Sequence, residues 1–169
     1  MASNRFPVYL AGPTGSGKTA IALALAKELG PTEIINADAF QIYRGMEILS
    51  AAPTDEEMSE VPHHLFGILD PSSPCDAAQF AALAKETIEE VRARATPLVV
   101  GGSGVYLKSI THGLADTPKA NPELRAQLDT LPLDELVSRY EKLDPKGALE
   151  THLRNRRYVT RNLEICLLR

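Results

Sequence analysis

Residues 12–19 read GPTGSGKT and fit G-x-x-x-x-G-K-[ST], the phosphate-binding P-loop. The flanks suit the motif. An apolar, strand-like run, Pro7-Val8-Tyr9-Leu10-Ala11, leads in, and an alanine- and leucine-rich helical pattern over 19–29 leads out. Glycines let successive backbone N–H groups turn inward around a phosphate. The N-terminus of the next helix adds the positive end of its dipole. Gly12, Pro13, Thr14, Gly15, Ser16 and Gly17 are the expected cradle, Lys18 the group that reaches the terminal phosphate, and the Thr19 hydroxyl the ligand for Mg²⁺. A glycine-rich turn with no ligand is the bland alternative, and the strand and helix in register on either side count against it. The motif specifies phosphate or diphosphate. It does not specify the reaction.

Outward from the loop, 169 residues suit one domain with a small appendage, and 44% hydrophobic residues can fill a real core. No apolar run approaches the roughly 20 residues of a membrane span. The N-terminus passes straight into the P-loop strand without a signal-peptide pattern. Cys75 and Cys166 are too few for a disulfide framework or a metal cluster and are expected as free thiols in a reducing cytoplasm. The net charge is −4, but it is unevenly spread: residues 145–169 carry Lys146, Arg154, Arg156, Arg157, Arg161 and Arg169 against Glu150 and Glu164. Alone, that run reads as a solvated helix face.

Residues 1–115 alternate strand and helix patterns, as a parallel α/β sheet requires. The strands are expected at 8–11, 33–36, 65–69 and 98–101, and the helices at 18–29, 77–94 and 104–111. Pro74 and a capping Asp76 open the second of these helices, and Pro97 closes it. The fold class is therefore α/β, a P-loop NTPase-like core with a parallel sheet. Residues 116–169 read as a helical extension: a loop to Pro122, short helices near 122–128 and 133–143, a DPKG break, and a last helix from about Asn155. The chain stops at Leu168-Arg169 inside a helical pattern, so a fragment of a longer protein is expected.

Two further clusters fall at strand ends, where open α/β sheets bind ligands. The first is Asn36-Ala37-Asp38-Ala39-Phe40-Gln41. Its Asp38 carboxylate is placed to bind Mg²⁺ through water or to take a proton; the bland reading is a cap for the next turn, and the two roles are compatible. The second is Gly101-Gly102-Ser103-Gly104, which offers close backbone approach and a hydroxyl at a helix start. Its strand lacks the acidic residue that an ATPase places there. His63-His64 invite a metal, but no other Cys or His lies near them in sequence, which favours a hydrogen-bonded structural role.

Taken in order, these segments resemble the tRNA dimethylallyltransferase (tRNA isopentenyltransferase) family. The resemblance rests on GPTGSGKT, NADAFQIYRGMEI, HHLFGILDP, VVGGSGVYLKSI, NPELRAQL and RNRRYVTRNLEI, and it covers nearly the whole chain. It implies transfer of the dimethylallyl group of dimethylallyl diphosphate to N6 of the adenosine 3′ of the anticodon. It implies Asp38 as general base, with Thr14, Lys18, Thr19 and Mg²⁺ stabilising the leaving diphosphate. Asp38, Ala39, Phe40, Gln41, Ser103, Arg125 and Arg157 would meet the tRNA anticodon stem-loop, with Gln41 on the base. A monomer in the cytoplasm, without a membrane, is expected. The chain departs from the family pattern at Ala39, where Ser is usual, at Leu49-Ser50-Ala51-Ala52-Pro53, where a lysine is lost, and at His152-Leu153-Arg154-Asn155. Family members run near twice this length, with a final strand and helix that have no counterpart here.

Three other readings fit the P-loop: a small-molecule kinase using ATP, an adenine-nucleotide isopentenyltransferase, and a shortened non-catalytic paralogue that binds tRNA or nucleotide. The kinase also needs an arginine-rich lid, and the surroundings of Arg44 do not supply one.

Overall fold

A computed structural model describes residues 5–169; residues 1–4, the start of the first expected domain, lie outside the described residues. The chain forms two compact units, one ending at Leu114 and the other spanning Ala115–Arg169.

The first unit runs β1 (Val8–Ala11), α1 (Lys18–Glu28), β2 (Thr32–Asn36), α2 (Glu47–Ser50), α3 (Asp55–Glu60), β3 (His63–His64), α4 (Ala77–Arg92), β4 (Thr96–Gly101) and α5 (Gly104–Thr111). Its four strands are parallel in the order β1-β4-β2-β3. Alternation along the central strands builds the two faces. Ile34, Leu98 and Val100 pack with Ala22, Leu23 and Ala26 of α1. Ile35 and Val99 pack with Phe80, Ala84, Ile88 and Val91 of α4 and with Tyr106 and Ile110 of α5. Helices thus cover both faces, as the near-continuous burial along β2 and β4 requires. Phe80 and Tyr106 stack with ring centroids 4.0 Å apart.

Local chemistry places the boundaries. Asp76 caps α4 by accepting from Ala78 N and Gln79 N, and the Gln79 side chain closes a capping box. The expected strand over 65–69 is not formed. The third strand is His63–His64, and Leu65 turns into the left-handed region at φ 63°. The Leu65 carbonyl accepts from Asn36 Nδ2 (2.9 Å), and Leu69 makes only a single isolated parallel bridge, to Tyr43, outside the sheet. Helices α2 and α3 were not expected. A Thr54–Glu57 capping box makes α3, and hydrogen bonds alone hold the single turn of α2.

The second unit is helical: α6 (Pro122–Asp129), α7 (Leu133–Leu143), α8 (Pro145–Glu150) and α9 (Arg156–Leu168). The DPKG segment, expected as a break, opens α8. Asp144 caps it on Gly147 N, and Pro145 sits where its missing N–H costs nothing. Leu128, Leu136, Tyr140, Val159 and Leu163 form its core. Among the described residues no helix is long and apolar enough to cross a membrane.

Candidate active site

The carboxyl ends of β1, β2 and β4 converge through three backbone contacts. Gly12 N donates to Gly101 O (3.3 Å), and Ala37 N donates to Val100 O (2.7 Å). At Gly101 a Cβ would collide with the backbone of Ala37, so glycine alone lets these strand ends close up. Beyond them lies a cavity of about 330 Å³.

The P-loop forms one wall. Thr14, Gly15, Gly17, Lys18 and Thr19 line the cavity, while Gly12, Pro13 and Ser16 carry the turn, with Ser16 N bonded to Pro13 O (3.3 Å). Gly17 takes φ 79° as the residue that starts α1, a conformation closed to most side chains. Lys18 Nζ donates to Pro13 O at 2.6 Å, which folds the ammonium over the loop. An ammonium carries three donors, so two are left over from this bond.

Asp38 lies across from the loop and is anchored from below. Asn36 is fully buried. Its Oδ1 accepts from Asp38 N (2.7 Å), and its Nδ2 donates to Asp38 O (3.2 Å) as well as to Leu65 O. The two carboxylate oxygens of Asp38 then divide. Oδ1 accepts from Phe40 N (2.9 Å), the capping role. Oδ2 faces the P-loop: a Cβ built on Gly102 would stand 3.7 Å from Asp38 Oδ2 and 3.8 Å from Lys18 Nζ. Lys18 and Asp38 therefore border one small space whose floor is the backbone at Gly102. Asp38 and Gln41 both line the cavity.

The remaining residues named from sequence fall in two places. Ser103 Oγ accepts from Ala39 N (2.9 Å) and ties the β4–α5 turn to the Asp38 segment, while Phe40 is exposed. Arg125 and Arg157 belong to the second unit. Arg125 donates through Nε and Nη2 to the fully buried Glu164. Arg161 adds Nη1 at 2.6 Å and Asn121 adds its N–H at 2.7 Å. Burial pushes the Glu164 carboxyl up, but the bonds from Arg161, the Asn121 N–H and Arg125 outweigh it and hold the group below the usual carboxylate value. Arg157 lies on the exposed side of α9.

Sequence reasoning gave His63 and His64 a hydrogen-bonded structural role and did not place His63 or Phe66 at the cavity. His63 and Phe66 also line the cavity and meet edge to face with centroids 5.3 Å apart. His63 Nδ1 lies 2.6 Å from Val61 O, a carbonyl that can only accept, and burial pushes the ring's pKa down. His64 Nε2 bonds Glu33 Oε2 (2.6 Å), and Arg94 makes a two-pronged bond to the same carboxylate at 2.7 Å. Those Arg94 bonds hold Glu33 below the usual value against its burial. A glutamate in the short strand segment Thr32–Asn36 was the available signal.

For a metal, Thr19 and Asp38 offer a hydroxyl and a carboxylate on one cavity. Hard oxygen donors, few in number, suit Mg²⁺, which keeps several waters and takes the rest of its shell from substrate phosphates. Among the described residues there is no group of three or more His, Cys, Asp or Glu placed to hold a metal ion unaided.

Comparison with known proteins agrees with this architecture. The family model described as IPP transferase matches residues 41–169, beginning after the P-loop. The tRNA dimethylallyltransferase of Akkermansia muciniphila is 44% identical over 161 residues, covering 95% of this chain and 54% of that protein. The tRNA dimethylallyltransferase of Deinococcus radiodurans is 44% identical, covering 98% and 55%. Among solved structures, a eukaryotic dimethylallyltransferase acting on tRNA superposes with TM-score 0.80 at 29% identity over 95% of this chain and 41% of that one. The tRNA isopentenylpyrophosphate transferase of Bacillus halodurans superposes with TM-score 0.63 at 38% identity, over 98% and 56%. The chain spans about half the length of the relatives it matches. With its P-loop on a parallel sheet and these matches along its length, the chain belongs to the IPP transferase family.

Proposed function

We propose that the cavity binds dimethylallyl diphosphate by its diphosphate and that Asp38 assists transfer of the dimethylallyl group to N6 of the adenosine 3′ of the anticodon in tRNA. The carrying observation is that Lys18 Nζ and Asp38 Oδ2 border the same space beside Gly102. An ammonium and a carboxylate so placed suit opposite ends of one displacement. The bond between C1 of the dimethylallyl group and the diphosphate oxygen breaks, and the diphosphate leaves with the electron pair. The N6 lone pair forms the new bond to C1, and the N6 proton passes to Asp38 Oδ2. Lys18, Thr14 and the inward N–H groups of 12–19 stabilise the charge that develops on the diphosphate, typically the largest catalytic term. Thr19, with Asp38 close by, would hold Mg²⁺, which supplies further charge neutralisation when bound. No water is activated, so the acid absent from β4 is not needed. The adenine leaves its stack to enter the cavity. Ala39, Phe40, Gln41 and Ser103 are assigned to the RNA from the first unit, and Arg125 and Arg157 from the second, where phosphate contacts set position.

The family relationship favours this reading over the kinase and nucleotide-binding alternatives. It is tested by incubating labelled dimethylallyl diphosphate with tRNA or with adenine nucleotide and following the label. The expectation is label on the tRNA adenosine, with a loss of about 10²–10⁴ in single-turnover rate for Asp38→Asn. Asn keeps the oxygen that caps Phe40 N but cannot accept the proton. Label on free nucleotide reassigns the acceptor, and a wild-type rate for Asp38→Asn removes Asp38 from the mechanism.

A further inference from the structure

Gln41 spends its amide within the protein. Nε2 carries two hydrogens, and it lies 3.0 Å from Ser50 O and 3.0 Å from Ala51 O. Both carbonyls close the C-terminal end of α2, whose next residue, Ala51, takes the left-handed conformation at φ 49°. Gln41, Ser50, Ala51 and Pro53 all line the cavity.

What α2 lacks makes this bond consequential. None of its four residues is buried, and Ile48 and Leu49 are 97% and 85% exposed. An isolated turn of four residues is unstable, and in proteins such turns persist through packed apolar faces. This one has no packed face. It is held by hydrogen bonds: Ser50 N to Met46 O, Ala52 N to Glu47 O, Gly45 N to Glu47 Oε1, and the two from Gln41. Gln41 itself is fixed, because its carbonyl accepts from Gly67 N (2.9 Å) and its neighbour Ile42 is fully buried.

We infer that Gln41 is a positioning residue: its side-chain amide is a latch that holds the Ser50–Pro53 wall of the cavity in place. The latch leaves only Oε1 for a ligand, so any contact of Gln41 with a substrate is as an acceptor. The functional meaning of the wall rests on the proposed transferase reading. The latch itself does not.

Amide hydrogen exchange on this chain tests it. In the unsubstituted protein the Ser50 and Ala52 amides are protected. Gln41→Met, of similar length without donors, raises their exchange about tenfold or more, while amides of β4 keep their protection. Gln41→Glu keeps an acceptor but sets a carboxylate against two carbonyls, and it loses protection near neutral pH. Below the carboxyl pKa of about 4.3, raised further by those carbonyls, the protonated group donates one bond and protection partly returns. Lys18, Asp38 and His63 line the same cavity and Glu47 lies in α2, so Gln41→Met, which shows no recovery, reports their own titration. Exchange at the intrinsic rate in the unsubstituted protein, unchanged exchange in Gln41→Met, or no recovery in Gln41→Glu overturns the latch. Calorimetry with inorganic pyrophosphate and Mg²⁺ on the same proteins separates the two claims. Absent binding in the unsubstituted chain sinks the diphosphate reading and leaves the latch to be judged by exchange.

Discussion

In the first unit Lys18 and Asp38 Oδ2 border a common cavity, with Lys18 bonded to a loop carbonyl and Asp38 Oδ1 to the Phe40 N–H. In the second unit Arg125 and Arg161 are committed to Glu164, a carboxylate that no solvent reaches. Equally conspicuous in sequence, the two sets of charges differ in what they are free to do. The first unit holds its charged groups at strand ends through backbone geometry and so keeps oxygens and ammonium hydrogens for a ligand. The second uses opposite charges to fasten α6 and the segment before it onto α9. A run of basic residues is thus part scaffold, and its exposed members, Lys146, Arg154, Arg157 and Arg169, present side chains outward.

The comparison breaks most visibly at Glu164. Glu164→Ala leaves Arg125, Arg161 and the Asn121 N–H without their acceptor and is expected to cost about 3–5 kcal/mol. Urea unfolding with exchange read along α9 measures it. A cost below 1 kcal/mol makes the triad ornamental. Next is the backbone closure of the first unit. Gly101→Ala drives a methyl into the Ala37 backbone and is expected to cost about 1–3 kcal/mol by thermal unfolding. Gly104→Ala meets open space and stays within about 0.5 kcal/mol.

The smallest effect is on acid stability. Glu33 and Glu164 both have depressed folded-state pKa values. The stability they contribute is complete above the unfolded carboxylate value of about 4.3 and is lost as pH falls through the lower folded values. Glu33→Gln therefore flattens the acid limb of unfolding for the first unit, and Glu164→Gln that of the second. Each lowers stability at neutral pH, and an unaltered acid limb contradicts the assignment.

Much of the first unit was legible in the sequence because its signals are local. The P-loop pattern, the apolar runs at 8–11 and 98–101, and the Asp76 cap each depend on neighbours within a few residues. The helices at 104–111 and 133–143 followed from periodicity for the same reason. The misses share a different cause. The strand expected over 65–69 looked apolar enough, but Leu65 is turned by a bond from Asn36, 29 residues away. Helix α2 has no apolar periodicity facing a core, so no pattern announces it. DPKG reads as a break by composition, yet Asp144 and Pro145 are also a good helix start. In the candidate site, Asp38 was legible as a residue at a strand end, whereas the commitments of Gln41 to Ser50 and Ala51 and of Arg125 to Glu164 arise from tertiary contacts that no local pattern encodes.

The central claim is that the P-loop cavity is a diphosphate site and that Lys18 is its principal cation. Titration calorimetry with inorganic pyrophosphate and Mg²⁺, on the unsubstituted chain and on Lys18→Ala, tests it most directly. Removing one charge-assisted bond is expected to weaken binding about ten- to a hundredfold with the fold unchanged. Equal affinity in the two proteins would contradict the account.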